Sequence, residues 1–183
     1  MSALFLKALH LAGLVDDGRP GLALIGIEKG NATVMNGELL IRVDLRQHSQ
    51  LQPEVIDNMD GKFIHIEVWK DIHKAERVWI DDDGKINADV NGVTKVYSFS
   101  EPGDLFPSLN STIADMKLAK EGAIKKFGVS QKALNICAKV FGNNDLYLHF
   151  HTGGNVLVHC NDEYMFAIVT KKDADGVNRI IFE

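Results

Sequence analysis

The stretch GRPGLALIGIEKGNATVMNGELLIRVD, residues 18–44, decides the fold class. Residues 22–28 form an apolar, β-rich run, Lys29-Gly30-Asn31 reads as a turn, and residues 32–35 are extended again. Asn36-Gly37 predicts a hairpin, since both central positions of a type I′ turn need positive φ. Residues 38–44 run back. The spacing gives three short strands joined by tight turns. Residues 2–15, just before them, predict a helix. Phe5, Ala8, Leu9 and Ala12 recur at helical spacing with Leu4 and Leu11 alongside, and Lys7 and His10 share a narrow opposite face.

The same order of elements returns near the C-terminus. Residues 130–141 predict a helix with the apolar stripe Leu134, Cys137, Ala138 and Phe141. Lys132, Asn135 and Lys139 share its other face, and Gly142-Asn143-Asn144 is a stop signal. Residues 146–151, 156–160 and 163–170 predict strands. Gly30-Asn31-Ala32-Thr33-Val34 aligns with Gly154-Asn155-Val156-Leu157-Val158. Glu38-Leu39-Leu40-Ile41 falls on Glu163-Tyr164-Met165-Phe166, one residue out of step, as a turn insertion gives. A repeat of this length implies duplicated half-domains rather than a solenoid. The expectation is one domain over residues 1–183, with halves of about 1–108 and 109–183.

Between the repeats, residues 46–60 are polar and broken by Pro53, which predicts a loop. Residues 63–70, 75–80, 86–90 and 93–99 predict strands, turned at 71–74, Asp83-Gly84 and Asn91-Gly92. Glu101-Pro102-Gly103 breaks the run, and Phe106-Pro107 opens a less regular piece reaching Ile113. Residues 116–122 read as helix and 123–129 as strand, and a last strand is expected over 178–182. Many short strands with two or three helices make an α+β chain with mostly antiparallel sheets.

The 183 residues are 45% hydrophobic, enough to bury a core. A mean hydropathy of −0.06 and the lack of a long apolar run argue against a membrane-spanning helix. Residues 2–15 lack a cationic start and carry Lys7 and His10 inside, unlike a signal peptide. Cys137 and Cys160 fall on predicted core faces and form no CxxC pair, which fits a reducing compartment. The expected location is the cytoplasm. A net charge of −5 argues against a protein coated in positive charge for nucleic acid, yet leaves room for a local basic lining.

No phosphate loop, GxGxxG, HExxH, GxSxG or paired CxxC is present, which weighs against the common enzyme classes. No cofactor is expected. In Asp81-Asp82-Asp83-Gly84 the calcium-loop spacing fails at Lys85 and Ile86, so the segment reads as a solvated hairpin turn. His149, His151 and His159 allow a zinc site if the hairpin loop is Gly153-Gly154-Asn155, with His149 opposite His159 and His151 on the diagonal. That register places Leu146, Leu148 and Phe150 on one face with Val156, Val158 and Cys160. No fourth ligand is evident, so the bland reading, solvated histidines, is preferred. The polar helix faces, Lys7 and His10 on one and Lys132, Asn135 and Lys139 on the other, are either solvated or a sparse phosphate-contacting surface blind to base sequence. Lys117, Lys120, Lys125 and Lys126 form a further cluster.

Duplicated helix-plus-strands halves with no catalytic motif resemble the sliding-clamp fold of DNA polymerase processivity factors, and the local sequence is similar to the bacterial β-clamp family. Arg19-Pro20 followed by Leu24-x-Gly26 resembles that family's Arg-Pro-x-Leu-x-Gly. Val34-Met35-Asn36-Gly37-Glu38-Leu39-Leu40 stands where the family has Ala-Thr-Asp-Gly-His-Arg-Leu, with the glycine and final leucine shared. Phe106-Pro107-Ser108-Leu109 through Ile113 resembles a Phe-Pro-Asp-Tyr stretch leading to Ile-Pro, with Ala114 in place of the proline. Ser130-x-x-Ala133-Leu134 and Phe166-Ala167-Ile168-Val169 resemble the start of the second half's helix and its last core strand.

The resemblance covers most of the chain and implies a single clamp domain, of the kind expected in a phage or prophage. Family members carry three such domains and close as a dimer of six. This chain is then expected to reach a ring only by head-to-tail association of about six copies. The strand that precedes the first helix in the family is missing from this reading. The implied function is non-enzymatic: helix faces line a channel for duplex DNA, with Lys7, His10, Lys132, Asn135 and Lys139 facing it, while the sheets outside hold replication proteins. The alternative is a clamp-fold interaction module that encircles nothing, for which Gly103-Asp104-Leu105-Phe106 faintly resembles a clamp-binding peptide tail. A third reading, a zinc enzyme, rests on the three histidines alone.

Overall fold

The computed structural model describes residues 6–14, 20–102, 129–142, 145–150 and 155–169. Among them are three tight meanders. The first is β1 (Leu24–Glu28), β2 (Asn31–Met35) and β3 (Leu39–Asp44). Lys29 and Gly30 take φ of 52° and 76°, so a two-residue I′ turn joins β1 to β2. The expected I′ turn at Asn36-Gly37 is corrected. Gly37 alone has positive φ there (85°), and the Asn36 Oδ1 accepts from the N–H groups of Glu38 and Leu39 at 3.0 and 2.9 Å. An Asn side chain that supplies the turn's hydrogen bonds removes the need for a second left-handed residue.

β4 (Phe63–His65) pairs with β1 on one side of this meander. The second meander is β5 (Arg77–Ile80), β6 (Ile86–Val90) and β7 (Val93–Tyr97), a separate three-stranded sheet whose β6–β7 turn is Asn91-Gly92, at φ 54° and 77°. The third is β8 (Tyr147–Phe150), β9 (Val156–Cys160) and β10 (Asp162–Val169). β10 pairs antiparallel with β3, Met165 opposite Val43 and Ala167 opposite Ile41. One seven-stranded sheet results, in the order β4-β1-β2-β3-β10-β9-β8.

Strand alternation sends one face of this sheet into the core. Ile25, Ile27, Val34, Ile41 and Val43 from one meander meet Val156, Val158, Met165 and Ala167 from the other. Helices cover that face: a 3-10 helix over Leu9–Ala12, α1 (Leu45–His48), α2 (Pro53–Asn58), α3 (Ile66–Ile72) and α4 (Gln131–Phe141). A second 3-10 helix, Pro20–Ala23, leads into β1. Trp69 and Phe141 are fully buried beneath the cover. On the opposite face Leu40 and Ile168 bury themselves with Met35, Leu157 and Phe166 in a small second cluster.

Three sequence expectations are overturned here. Residues 2–15 were expected as one α-helix, yet the described part holds a single 3-10 turn. Leu6, Leu9 and Ala12 are the buried residues, a spacing of three that matches 3.0 residues per turn, while Leu11 is exposed. Residues 46–60 contain two helices instead of a loop. Pro53 occupies the first turn of α2, where a missing N–H costs nothing, and Val55, Ile56 and Met59 point inward. Residues 63–70 are strand only to His65. The fully or nearly buried residues of the following segment are Ile66, Trp69 and Ile72, a helical period that the β-branched composition masks, and the His65 side chain caps the helix by accepting from Glu67 N–H at 3.3 Å. Expectations for residues 103–128, 143–144, 151–154 and 170–183 lie outside the described residues.

Candidate nucleic-acid interface

α4 carries the better-formed part of the predicted surface. Ser130 caps its start, its Oγ accepting from Ala133 N–H at 3.3 Å, and Gly142 closes it in the left-handed region at φ 83°. Ala133, Cys137, Val140 and Phe141 are buried, so the stripe sits one position round from the expected one. Lys132, Asn135 and Lys139 are all exposed on the other side. Burial pushes the Cys137 thiol up to about 12, which keeps it an inert apolar group.

The N-terminal part is different. Lys7 and His10 are half-buried. The Lys7 carbonyl accepts from Trp69 Nε1 at 2.9 Å, which ties the 3-10 helix to α3. Lys7 also lines an open cavity of about 320 Å³ together with Leu6 and the segment Gln47, His48, Ser49 and Gln50. The His10 ring lies 4.6 Å from the His73 ring, tilted by 46°, and its Nδ1 is buried without a hydrogen bond. Burial, then the neighbouring His73, Lys70 and Lys74, holds the His10 pKa down at about 4, with Glu67 opposing. His73 is also held below the usual histidine range, chiefly by burial.

Lys70, His73 and Lys74 were not singled out in the sequence, because residues 63–70 read as strand and 71–74 as turn. The spacing Ile66-x-x-Trp69-x-x-Ile72 was the signal that would have placed them on a helix end. The structure brings His73 against His10, with Lys70 and Lys74 near enough for their charges to act on it. The 3-10 helix packs on both α3 and α4, so all these basic groups belong to elements of one helical layer.

The histidine pair at the far edge sits differently from the expectation. Tyr147 lies opposite His159, and His149 lies opposite Leu157, two residues out of the predicted register. His149 is therefore the diagonal neighbour of His159. Their Nε2 atoms are 2.7 Å apart and their rings stack at 4.8 Å. Leu148 and Phe150 keep the predicted face with Val156, Val158 and Cys160. His151 lies outside the described residues. Among the described residues no group of three potential ligands converges on a metal position. Asp81 is a turn residue: its carboxylate accepts from Lys85 N–H and Asn87 Nδ2, each at 2.8 Å. These hydrogen bonds, led by Asn87, lower its pKa.

No family model and no curated protein matches the chain. Solved structures do. A provisionally assigned DNA polymerase III beta subunit of Eubacterium rectale superposes with a TM-score of 0.55 at 10% identity, over 95% of this chain and 66% of that one. The DNA polymerase sliding clamp of Bacillus subtilis matches with a TM-score of 0.47 at 11% identity, over 92% of this chain and 63% of that one. The chain thus spans just under two thirds of the length of the first of these structures. Its fold is clamp-like: mixed helices and antiparallel sheets in the arrangement of that beta subunit. No helix among the described residues is long and apolar enough to cross a membrane.

Proposed function

We propose that this chain is a non-enzymatic, clamp-fold protein of DNA replication that acts on duplex DNA. Phage or prophage origin, a cytoplasmic site of action, homo-oligomerisation and encirclement of DNA are parts of the same proposal. The observation that carries it is a clamp-like fold whose helical layer exposes lysines. A chain of net charge −5 that keeps Lys132 and Lys139 on one helix face concentrates positive charge where a phosphate backbone would run. The contacts would be to phosphates, so binding would be salt-sensitive and indifferent to base sequence. Lys7, Lys132 and Lys139 are the proposed phosphate contacts, with His10 and Asn135 beside them.

Light scattering behind size exclusion tests the assembly. A closed oligomer, near six copies if each chain is one clamp domain, is the expected result, followed by retention on circular but not linear DNA. A monomer at every concentration overturns encirclement. The triple change Lys7→Glu, Lys132→Glu, Lys139→Glu is expected to abolish DNA association while the protein stays folded. Unchanged salt-sensitive binding overturns the assignment of those residues.

A second reading, an interaction module that encircles nothing, has one observation in its favour. Among the described residues β7 is an edge strand of the smaller sheet, and Val93 and Val96 on it are 59% and 60% exposed. Apolar side chains on an open strand edge suit strand addition by a protein partner. The segment Gly103-Asp104-Leu105-Phe106 lies outside the described residues.

A further inference from the structure

Two imidazoles in contact, with lysines around them and their carboxylates already taken, are an unusual thing to find where a surface is read as anion-binding. Lys70, His73 and Lys74 close the C-terminal end of α3, and His10 meets His73 there from the 3-10 helix. α3 carries two acidic residues that would neutralise this end, and both are engaged. Glu67 pairs with Lys70 at 3.2 Å. Asp71 is held by Lys95 Nζ and Tyr97 Oη, each at 2.8 Å. Lys74 makes no ion pair among the described residues.

The two rings are prepared for different roles. His73 Nδ1 lies 2.7 Å from the Lys70 carbonyl, so that nitrogen holds the ring's proton and Nε2 is left as the atom that titrates. His10 Nδ1 is buried without a partner, so its neutral ring carries the proton on Nε2. Among the described residues, the other elements against the 3-10 helix supply no carboxylate on this side. β2 has no titratable residue, and β3 turns Arg42 and Asp44 to the face away from Ile41 and Val43. α4 offers Lys132 and Lys139, both exposed. Among the described residues the nearby anions are Glu67, shared with Lys70, and Asp71, held by Lys95 and Tyr97.

We propose that Lys70, His73, Lys74 and His10 form a phosphate site at which duplex DNA is bound together with a proton. The inference rests on the reading of this helical layer as a nucleic-acid surface, and extends that surface onto α3. In the free protein burial first, and the nearby lysine charges after it, keep the imidazoles neutral near pH 7. A phosphodiester beside them reverses the local field, and His73 Nε2 gains a proton that it donates to a phosphate oxygen. Linkage then requires affinity to rise as pH falls, by up to about tenfold per pH unit for each proton taken up.

The test is the affinity of the full chain for a short labelled duplex, at fixed salt, from about pH 8 to about pH 5.5. Wild type is expected to tighten by about tenfold across that range. His10→Gln with His73→Gln should flatten the profile to within about twofold. Lys70→Gln with Lys74→Gln should weaken binding at every pH and lower the salt slope by about two. Histidine ring NMR of the wild type is the second readout, with His73 expected to titrate at higher pH when the duplex is present. Binding that does not vary with pH, a pH dependence that survives both glutamines, or a His73 titration unmoved by DNA overturns the inference and leaves the nucleic-acid reading standing. Absence of salt-sensitive binding at every pH overturns that reading, and the inference with it.

Discussion

The meander β1–β2–β3 and the meander β8–β9–β10 lie in one sheet, joined where β3 meets β10, and each needs a cover. The covers are built on opposite plans. Over the C-terminal meander lies one helix of 11 residues, capped by Ser130 at its start and Gly142 at its end. Over the N-terminal meander lies a four-residue 3-10 turn that stays in place through residues far away in sequence. Trp69 donates to the Lys7 carbonyl from 62 positions on, and His73 packs against His10. A cover with local signals can present its charged face freely. A cover made of distant pieces must spend its polar side chains on packing.

The sharpest way to break this contrast is Trp69→Ala. The residue is fully buried and also holds the 3-10 turn through its indole N–H, so a loss of about 3–5 kcal/mol is expected. Chemical denaturation measures it, and hydrogen exchange should show the Leu9–Ala12 segment opening while α4 stays protected. A loss below about 1 kcal/mol, or equal loosening of both covers, would show that the N-terminal turn does not depend on α3.

This contrast also explains what was legible in the sequence. α4 was read to within a residue because its cap, its stripe and its terminal glycine all lie within residues 130–142. The strands of both meanders were read because two-residue alternation and glycine turns are equally local. α3 was missed because Ile66, Val68 and Ile72 are β-branched, a composition that favours strand, and only tertiary burial of Ile66, Trp69 and Ile72 chooses helix. The N-terminal turn was read too long because leucine and alanine suit either helix, and the choice of 3-10 shows only in which residues are buried. The polar sites divide the same way. Lys132, Asn135 and Lys139 followed from helical spacing, whereas the contact between His10 and His73 joins residues that no local pattern relates.

Acid sharpens the comparison with a smaller effect. The His10 pKa falls from an ordinary 6.5 to about 4 on folding, so between those values the unfolded chain binds a proton that the folded one does not. Stability is therefore lost as pH falls from about 6.5 towards about 4, and this group adds no further loss below that. Discounted for a ring only half withdrawn from solvent, the loss is about 1 kcal/mol, or roughly 2–4 °C in Tm for a chain of this size. His10→Gln should remove that part of the acid sensitivity. A melting profile equally steep in the variant would show that His10 folds without penalty.

The smallest effect separates a face that is free from one that is packed. Lys139→Glu alters an exposed residue on α4 whose side chain makes no ion pair among the described residues. It places a negative charge in the last turn, against the helix dipole, which costs about 0.5 kcal/mol at most for a solvated side chain. Lys7→Glu alters a half-buried residue at the wall of a cavity, on the segment that Trp69 holds. Its aliphatic stem is part of the packing, so about 1 kcal/mol is expected there. Paired denaturation curves of the two variants measure the difference. If Lys139→Glu is the more costly change, the exposed face of α4 is structural, and the argument that its lysines are kept for a ligand loses its physical basis. If the order is as expected, Lys132 and Lys139 are the residues at which the proposed DNA contact can be tested without touching the fold, and Lys7 is the one at which the two effects must be separated.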